Sequence, residues 1–312
     1  MFGYNGVCGD TMKQMEQFHS RLNQSQQYRD GGLNSYREHL DTMVRSVLRE
    51  MVTTKQAIVI GAGNCTDVSL PIFLEFMEQV TLTDIDQQAM EQCAKMRRNI
   101  ATIAVDYTGF SDIHFFELFA EKMWSAKTDL DVEQIVTDAL LQTEGFTFLS
   151  PLHQQNDLVF VSPIYTQLLF HQVQHELYGL LADGYSEPLA RRMSETMLQA
   201  MPTILERFNN NLIRLLKPGG TLLVLSDIFE MQEGSEFHRK IVHSIKQKDV
   251  MDEIYRQYQS TYGFGLGDYG LYDLNQKLEQ KKSRWLLWRF NETRSFAVQL
   301  NIYQQPIEGG TI

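Results

Sequence analysis

The stretch AIVIGAGN, residues 57–64, carries an apolar run into Gly61-Ala62-Gly63 and Asn64, then breaks into Cys65, Thr66 and Asp67. Two glycines flanking one residue let a backbone turn tightly and approach a bound molecule with no Cβ in the way. Asp84 stands 21 residues beyond Gly63, near the end of a second apolar run, EQVTLTDID, and Ile85 follows it. A carboxylate there can accept hydrogen bonds from ribose hydroxyls. Asp106 and Tyr107 lie in a third run, ATIAVDYTGF, from which a side chain can reach an adenine edge. Glycines, a ribose acid and an adenine-side acid, in that order, are the groups that bind a nucleotide-like cofactor.

The loop chemistry discriminates among such cofactors. A dinucleotide fingerprint needs a third glycine or alanine, so that the following helix packs close and faces a pyrophosphate. Thr66 occupies that place, and Asp67 follows. A carboxylate beside a helix start repels a pyrophosphate but suits a cationic or zwitterionic ligand. S-adenosylmethionine (SAM), with its ammonium and sulfonium, fits better than a nicotinamide dinucleotide. Asp67 becomes a candidate partner of the methionyl ammonium; an acid in a first helical turn also complements the helix dipole.

These residues need a scaffold. Residues 10–52 read as helices, with Leu33, Tyr36, Leu40, Met43, Val44, Val47, Leu48 and Met51 on one face and Asp30-Gly31-Gly32 as a break from an earlier helix. Strands are expected at 56–63, 78–86, 101–110, 156–163 and 221–229, with helices between them and a helical stretch at about 115–145. Lys217-Pro218-Gly219-Gly220 is a stop-and-turn signal before the fifth strand. SRWLLWRF-NET-RSFAVQLNIY reads as an antiparallel hairpin, and the Gly- and Tyr-rich segment 262–274 before it as a mobile loop. The alternation predicts an α/β fold, a doubly wound, mostly parallel sheet of seven strands counting the hairpin, with extra helices. The expected organisation is a helical cap or lid at 1–55 and a cofactor-binding domain at 56–312 with a helical insertion at about 111–155.

The order of glycine loop, Asp84, Asp106, NDLVFVSP, LLKPGGTLLVLSD and terminal hairpin resembles the class I SAM-dependent methyltransferases over roughly residues 56–303. VIGAGN matches the family's first motif, and Asp157 through Pro163 its fourth-strand motif. Two departures stand out. The acid often seen before the glycine loop is absent, Ile58 and Ile60 occupying that strand, and the 111–155 connection is longer than usual. The resemblance implies a Rossmann-like transferase with SAM as cofactor and S-adenosylhomocysteine as product. It implies that Gly61, Ala62, Gly63 and Asn64 pass against the cofactor, that Asp84 and Ile85 meet its ribose, and that Asp106 and Tyr107 meet its adenine side. Ser162 stands beside the departing methyl.

The acceptor is less legible. Ser162-Pro163-Ile164-Tyr165 is similar to the (Asn/Asp/Ser)-Pro-Pro-(Tyr/Phe) motif of enzymes that methylate amino or amide nitrogens of bases and glutamine, with Ile164 replacing the second proline. Ser162, Tyr165 and His171 are the candidate catalytic residues, the last as a general base. His171 and His175 share one helix face, but no third ligand suggests a metal. Tyr28, Arg29, Tyr36 and Arg37 are the candidate inward-reaching residues of a lid.

Composition narrows the partners. Lys plus Arg is 28 against Asp plus Glu 39, a net charge of −11, which weighs against a nucleic-acid partner. Cys8, Cys65 and Cys93 have neither paired nor metal-type spacing, as in a reducing compartment. The first residues lack the basic-then-apolar pattern of a signal peptide, and no apolar run is long enough to cross a membrane. The expectation is a cytoplasmic methyltransferase acting at nitrogen or oxygen of a small molecule or short peptide, with a homodimer through the N-terminal helices as an option. The rival expectations are a base or protein-amide N-methyltransferase, a NAD(P)-dependent oxidoreductase, and a non-catalytic protein of the same fold.

Overall fold

The computed structural model describes residues 12–25, 30–66, 68, 70–95 and 98–307. Cys8, Tyr28, Arg29 and Asp67, singled out above, lie outside the described residues.

Four strands are short, β1 (Gln56–Ile60), β2 (Gln79–Asp84), β3 (Ile100–Ala104) and β4 (Asn156–Val161), and β5 (Leu216–Gln232) is longer. β6 (Glu279–Arg289) and β7 (Arg294–Gln304) form the terminal hairpin. They make one seven-stranded sheet in the order β3-β2-β1-β4-β5-β7-β6, in which β7 is antiparallel to β5 and to β6 and the remaining pairings are parallel. The order reverses between β1 and β4, which places a crevice beyond their carboxyl ends.

Both faces of the sheet are covered, which is why its central strands are apolar without alternation. Ile58, Ile60, Val159, Val161, Leu222 and Val224 pack in one core with α6 (Asp129–Gln142), α7 (Phe170–Ala182), α8 (Glu187–Leu215) and α11 (Leu266–Lys277). Ala57, Val59, Leu158, Phe160, Leu223 and Leu225 pack in the other with α2 (Asp30–Glu50), α3 (Leu70–Phe76) and α4 (Gln87–Ala94). A third, smaller cluster joins α9 (Glu236–Ser244) and α10 (Lys248–Tyr262) to the far ends of β5 and β6. The helices α1 (Lys13–Ser25) and α5 (Phe119–Ser125) complete the chain order. No helix among the described residues is long and apolar enough to cross a membrane.

Asp157 ties the amino ends of three strands together. Its carboxylate accepts the backbone N–H groups of Lys55 and Gln56 at 2.9 Å, the Thr53 hydroxyl at 2.8 Å and the Lys217 ammonium at 3.1 Å. Burial opposes its charge, but the Gln56 N–H, the Thr53 hydroxyl and Lys217 outweigh it and hold the carboxyl below the usual range.

Four local expectations are corrected. Asp30-Gly31-Gly32 forms the first turn of α2 and does not interrupt a helix. The third strand stops at Ala104, short of Asp106, because the Asp106 carboxylate accepts the N–H groups of Thr108 and Ser111 and the Thr108 hydroxyl, and so starts a run of turns. β5 begins at Leu216, and the Lys217–Gly220 signal lies within it; Gly219 has φ +77°, and the pairing slips between Asn156 and Leu158. The Gly- and Tyr-rich segment becomes helix α11. Its glycines allow close packing: a Cβ on Gly267 would lie 2.5 Å from the Asp227 carbonyl oxygen, and one on Gly270 2.6 Å from the Tyr165 ring.

Candidate functional site

The crevice between β1 and β4 opens into a cavity that gathers most of the residues the sequence singles out. Gly61, Ala62, Gly63, Asn64, Asp84, Ile85, Asp106, Tyr107 and Ser162 all line it. The glycine loop leaves β1 with Gly61 at φ +71° and Gly63 at φ +44°, backbone shapes that side chains rarely adopt. At Gly61 a Cβ would also fall 3.0 Å from the Ile164 side chain.

The loop is held from several sides. The Gly63 N–H donates to an Asp84 carboxylate oxygen at 2.9 Å, and the Asp86 N–H donates to the other at 3.0 Å. A hydrogen-bond chain runs beneath. The Gly61 N–H donates to the Tyr107 hydroxyl at 2.9 Å, and that hydroxyl lies 2.9 Å from the Thr83 hydroxyl. Thr83 spends its own proton on the Val59 carbonyl, so Tyr107 donates to Thr83. Arg37 of α2 donates to the Thr66 carbonyl at 2.5 Å and to the Cys65 carbonyl at 2.8 Å. Arg37 therefore braces the loop from behind and does not reach into the cavity. Tyr36 is also turned away, buried and stacked on Trp288 at 5.4 Å between ring centroids.

Burial pushes Asp84 up to about 6, opposed by the Asp86 and Gly63 N–H donors. An ionised carboxylate offers roughly four acceptor positions. The Gly63, Asp86 and Ile85 N–H groups draw on these, and the remainder is open to a ligand hydroxyl. Asp106 is more committed: one oxygen accepts from Thr108 twice and the other from the Ser111 N–H at 2.9 Å.

Helix α1 closes the cavity. Met15, His19 and Asn23, four residues apart and so on one helix face, line it from above. The Asn23 amide donates to the Asp86 carboxylate at 3.0 Å, and the Asn64 amide donates to the Asn23 carbonyl at 3.0 Å. Phe18 packs against the rings of His19 and His175, each at 5.3 Å, which fastens α1 to α7. Burial pushes the His19 imidazole down to about 4, although Asp106 and Asp86 pull the other way, so it is neutral at pH 7. Composition and the stronger periodicity of 33–51 drew attention away from α1; the i, i+4, i+8 spacing of Met15, His19 and Asn23 was the available signal.

The acceptor-side candidates separate. The Ser162 hydroxyl is buried against the cavity with no hydrogen-bond partner among the described residues. Tyr165 does not line the cavity. Its ring sits in the core against Phe208, and its hydroxyl donates to Asn209 at 2.8 Å, so the catalytic reading of Tyr165 is corrected. The Asn209 amide in turn donates to the Gly270 carbonyl and to Asp273, a buried polar network under α11. His171 is exposed at the start of α7, outside the cavity lining, and its imidazole is lowered by desolvation against the pull of Glu230.

The residues present fit SAM. Asp84 keeps acceptor capacity beside the glycine loop, the glycines at 61 and 63 place no side chain there, and the buried Ser162 hydroxyl lacks a partner that a ligand can supply.

No family model matches the sequence, and no curated protein does. Among solved structures, the chain is similar to the N-methyltransferase NodS from Bradyrhizobium japonicum WM9 bound to S-adenosylhomocysteine, at 12% identity, covering 95% of this chain and 100% of that one with a TM-score of 0.46. It is also similar to a SAM-dependent methyltransferase from Methanosarcina mazei, at 12% identity, 84% and 98% coverage and a TM-score of 0.41. The fold assignment stands on strand order and polarity. With β3-β2-β1-β4-β5-β7-β6, β7 reversed, and the glycine loop at the switch point, the chain has the fold of the class I SAM-dependent methyltransferases.

Proposed function

We propose that this protein transfers a methyl group from SAM to a nitrogen or oxygen of a small molecule or short peptide. The observation that carries the reading is the single cavity in which the Gly61–Asn64 loop, Asp84 and Ser162 meet under α1. Bound there, SAM supplies a sulfonium-activated methyl for direct displacement. Asp84 would accept the ribose hydroxyls, and the Gly61–Gly63 backbone would pass against the amino-acid part. Asp106 and Tyr107 would face the adenine. The Ser162 hydroxyl would hold either the cofactor's polar end or the acceptor. With α1 over the cavity, the displacement would proceed mainly by positioning.

A covered cavity suits a small acceptor better than a folded macromolecule. A base or protein-amide acceptor fits less well, since it needs an aromatic ring to stack on and Tyr165 is committed to the core. A dinucleotide is disfavoured by Thr66 in place of the third glycine.

The test is titration calorimetry with S-adenosylhomocysteine and with NADH, on wild type and Asp84→Ala. Micromolar binding of the first, absent for NADH and weakened about 100-fold in the variant, is expected. Binding of NADH alone would return the oxidoreductase reading, and binding of neither the non-catalytic one. Labelled SAM offered with small-molecule extract, protein extract and nucleic acid then identifies the acceptor class.

A further inference from the structure

Strand β6 ends the sheet: among the described residues it pairs with β7 alone. A groove of about 1,150 Å³ runs along it, walled by α2 on one side and by the end of α9 and start of α10 on the other. Arg284, Trp285, Leu286 and Leu287 all border the groove. Consecutive residues of a strand face opposite sides of the sheet. Here Leu286 joins the α2 core and Trp285 and Leu287 the α9–α10 cluster. A hollow that touches all four therefore follows the strand's edge, where N–H and C=O groups await a neighbour.

The groove is also charged against the trend of the chain. Lys246, Lys248, Arg284 and Arg289 line it, with Glu292 the acid among its lining residues, on a protein of net charge −11. Lys248 is paired with Asp252, whereas Lys246, Arg284 and Arg289 are exposed and make no ion pair among the described residues. Basic side chains on an edge strand guard it against like edges. Guarding alone does not call for the apolar floor that Met43, Trp285 and Leu287 provide beside them.

We propose that the β6 edge is a docking site for an extended, acidic segment of a partner protein, which adds to the seven-stranded sheet as a further strand. On the α2 side acidic side chains of the segment meet Arg284; on the opposite side apolar ones rest on Trp285 and Leu287, and an acid at the segment's end meets Arg289 and Lys246. A second copy is a poor occupant, because pairing β6 with β6 would set Lys281, Lys282, Arg284 and Arg289 of one copy against the same basic strand of the other.

The test uses fluorescence anisotropy with a short labelled peptide of alternating Val and Glu. The comparisons are the same peptide with Lys for Glu, and one of equal charge interrupted by Pro. Wild type and an Arg284→Glu, Arg289→Glu double variant are titrated, with S-adenosylhomocysteine calorimetry and melting temperature as controls of the distant site and the fold. The expected result is binding of the Val–Glu peptide alone, weakened about tenfold or more by the charge reversal, with cofactor affinity unchanged. Absence of binding overturns the proposal. So does equal binding of the Pro-interrupted peptide, which would be charge attraction without strand pairing. A sedimenting dimer that the double variant abolishes would assign the edge to a second copy and overturn it too.

Discussion

The backbone N–H of Gly63 donates to the carboxylate of Asp84 at 2.9 Å, so the end of the second strand holds the loop that follows the first. One side chain therefore serves two purposes: it shapes the glycine loop and leaves acceptor capacity toward the cavity.

Asp84 makes cofactor binding pH-dependent. Its carboxyl is raised to about 6, and ribose hydroxyls bind the ionised form. Affinity for S-adenosylhomocysteine should be level above about pH 7 and fall roughly tenfold per unit well below 6. Calorimetry across pH 5–8 checks this; Asp84→Asn should bind weakly and lose the dependence. A level profile in wild type would remove Asp84 from the ribose site.

Arg37 acts on the site through the loop. Replacing it by Met removes its hydrogen bonds to the Cys65 and Thr66 carbonyls. Stability should drop by about 1–3 kcal/mol and the S-adenosylhomocysteine Kd rise about tenfold. An unchanged Kd with lowered stability would reduce Arg37 to a brace of α2 alone.

Tyr165→Phe separates core from catalysis. The hydroxyl's loss leaves the buried Asn209 oxygen unpaired, at a cost of about 1–2 kcal/mol. Cofactor affinity should be unchanged, because the ring lies outside the cavity. Normal stability with collapsed turnover, once an acceptor is known, would restore Tyr165 to the reaction.

His19 couples α1 to pH. Its folded value of about 4 lies below the ordinary 6.5, so between these values the unfolded chain binds more protons than the folded one. That contribution to stability is complete above about 6.5 and is lost as pH falls toward 4. Asp84, raised to about 6, titrates in the opposite sense over part of the same window, so the difference between wild type and His19→Gln isolates the histidine. Urea unfolding at pH 4.5 and 7 should show a smaller change in the variant. Hydrogen exchange on α1 should quicken first on acidification of the wild type.

The sheet was legible because a strand buried on both faces must be apolar throughout, and the runs of β1 and β4 announce themselves so. The glycine loop and Asp84 were legible for a local reason: positive φ favours glycine, and a strand's end fixes where its last side chain stands. What local pattern could not decide was how separate elements meet. Gly267 and Gly270 read as a loop because glycine disfavours helix, but the close approach of α11 to β5 and Tyr165 needs residues without a Cβ. Tyr165 read as catalytic because it closes the motif after the fourth strand, yet Asn209, 44 residues later, draws its hydroxyl into the core. His19 and Asn23 enter the site only because α1 folds back across the sheet's edge, a contact with Asp86 over 63 residues of chain. Composition and periodicity report each element's own burial; which polar groups share a cavity is set by long-range packing, and only the tertiary structure decides it.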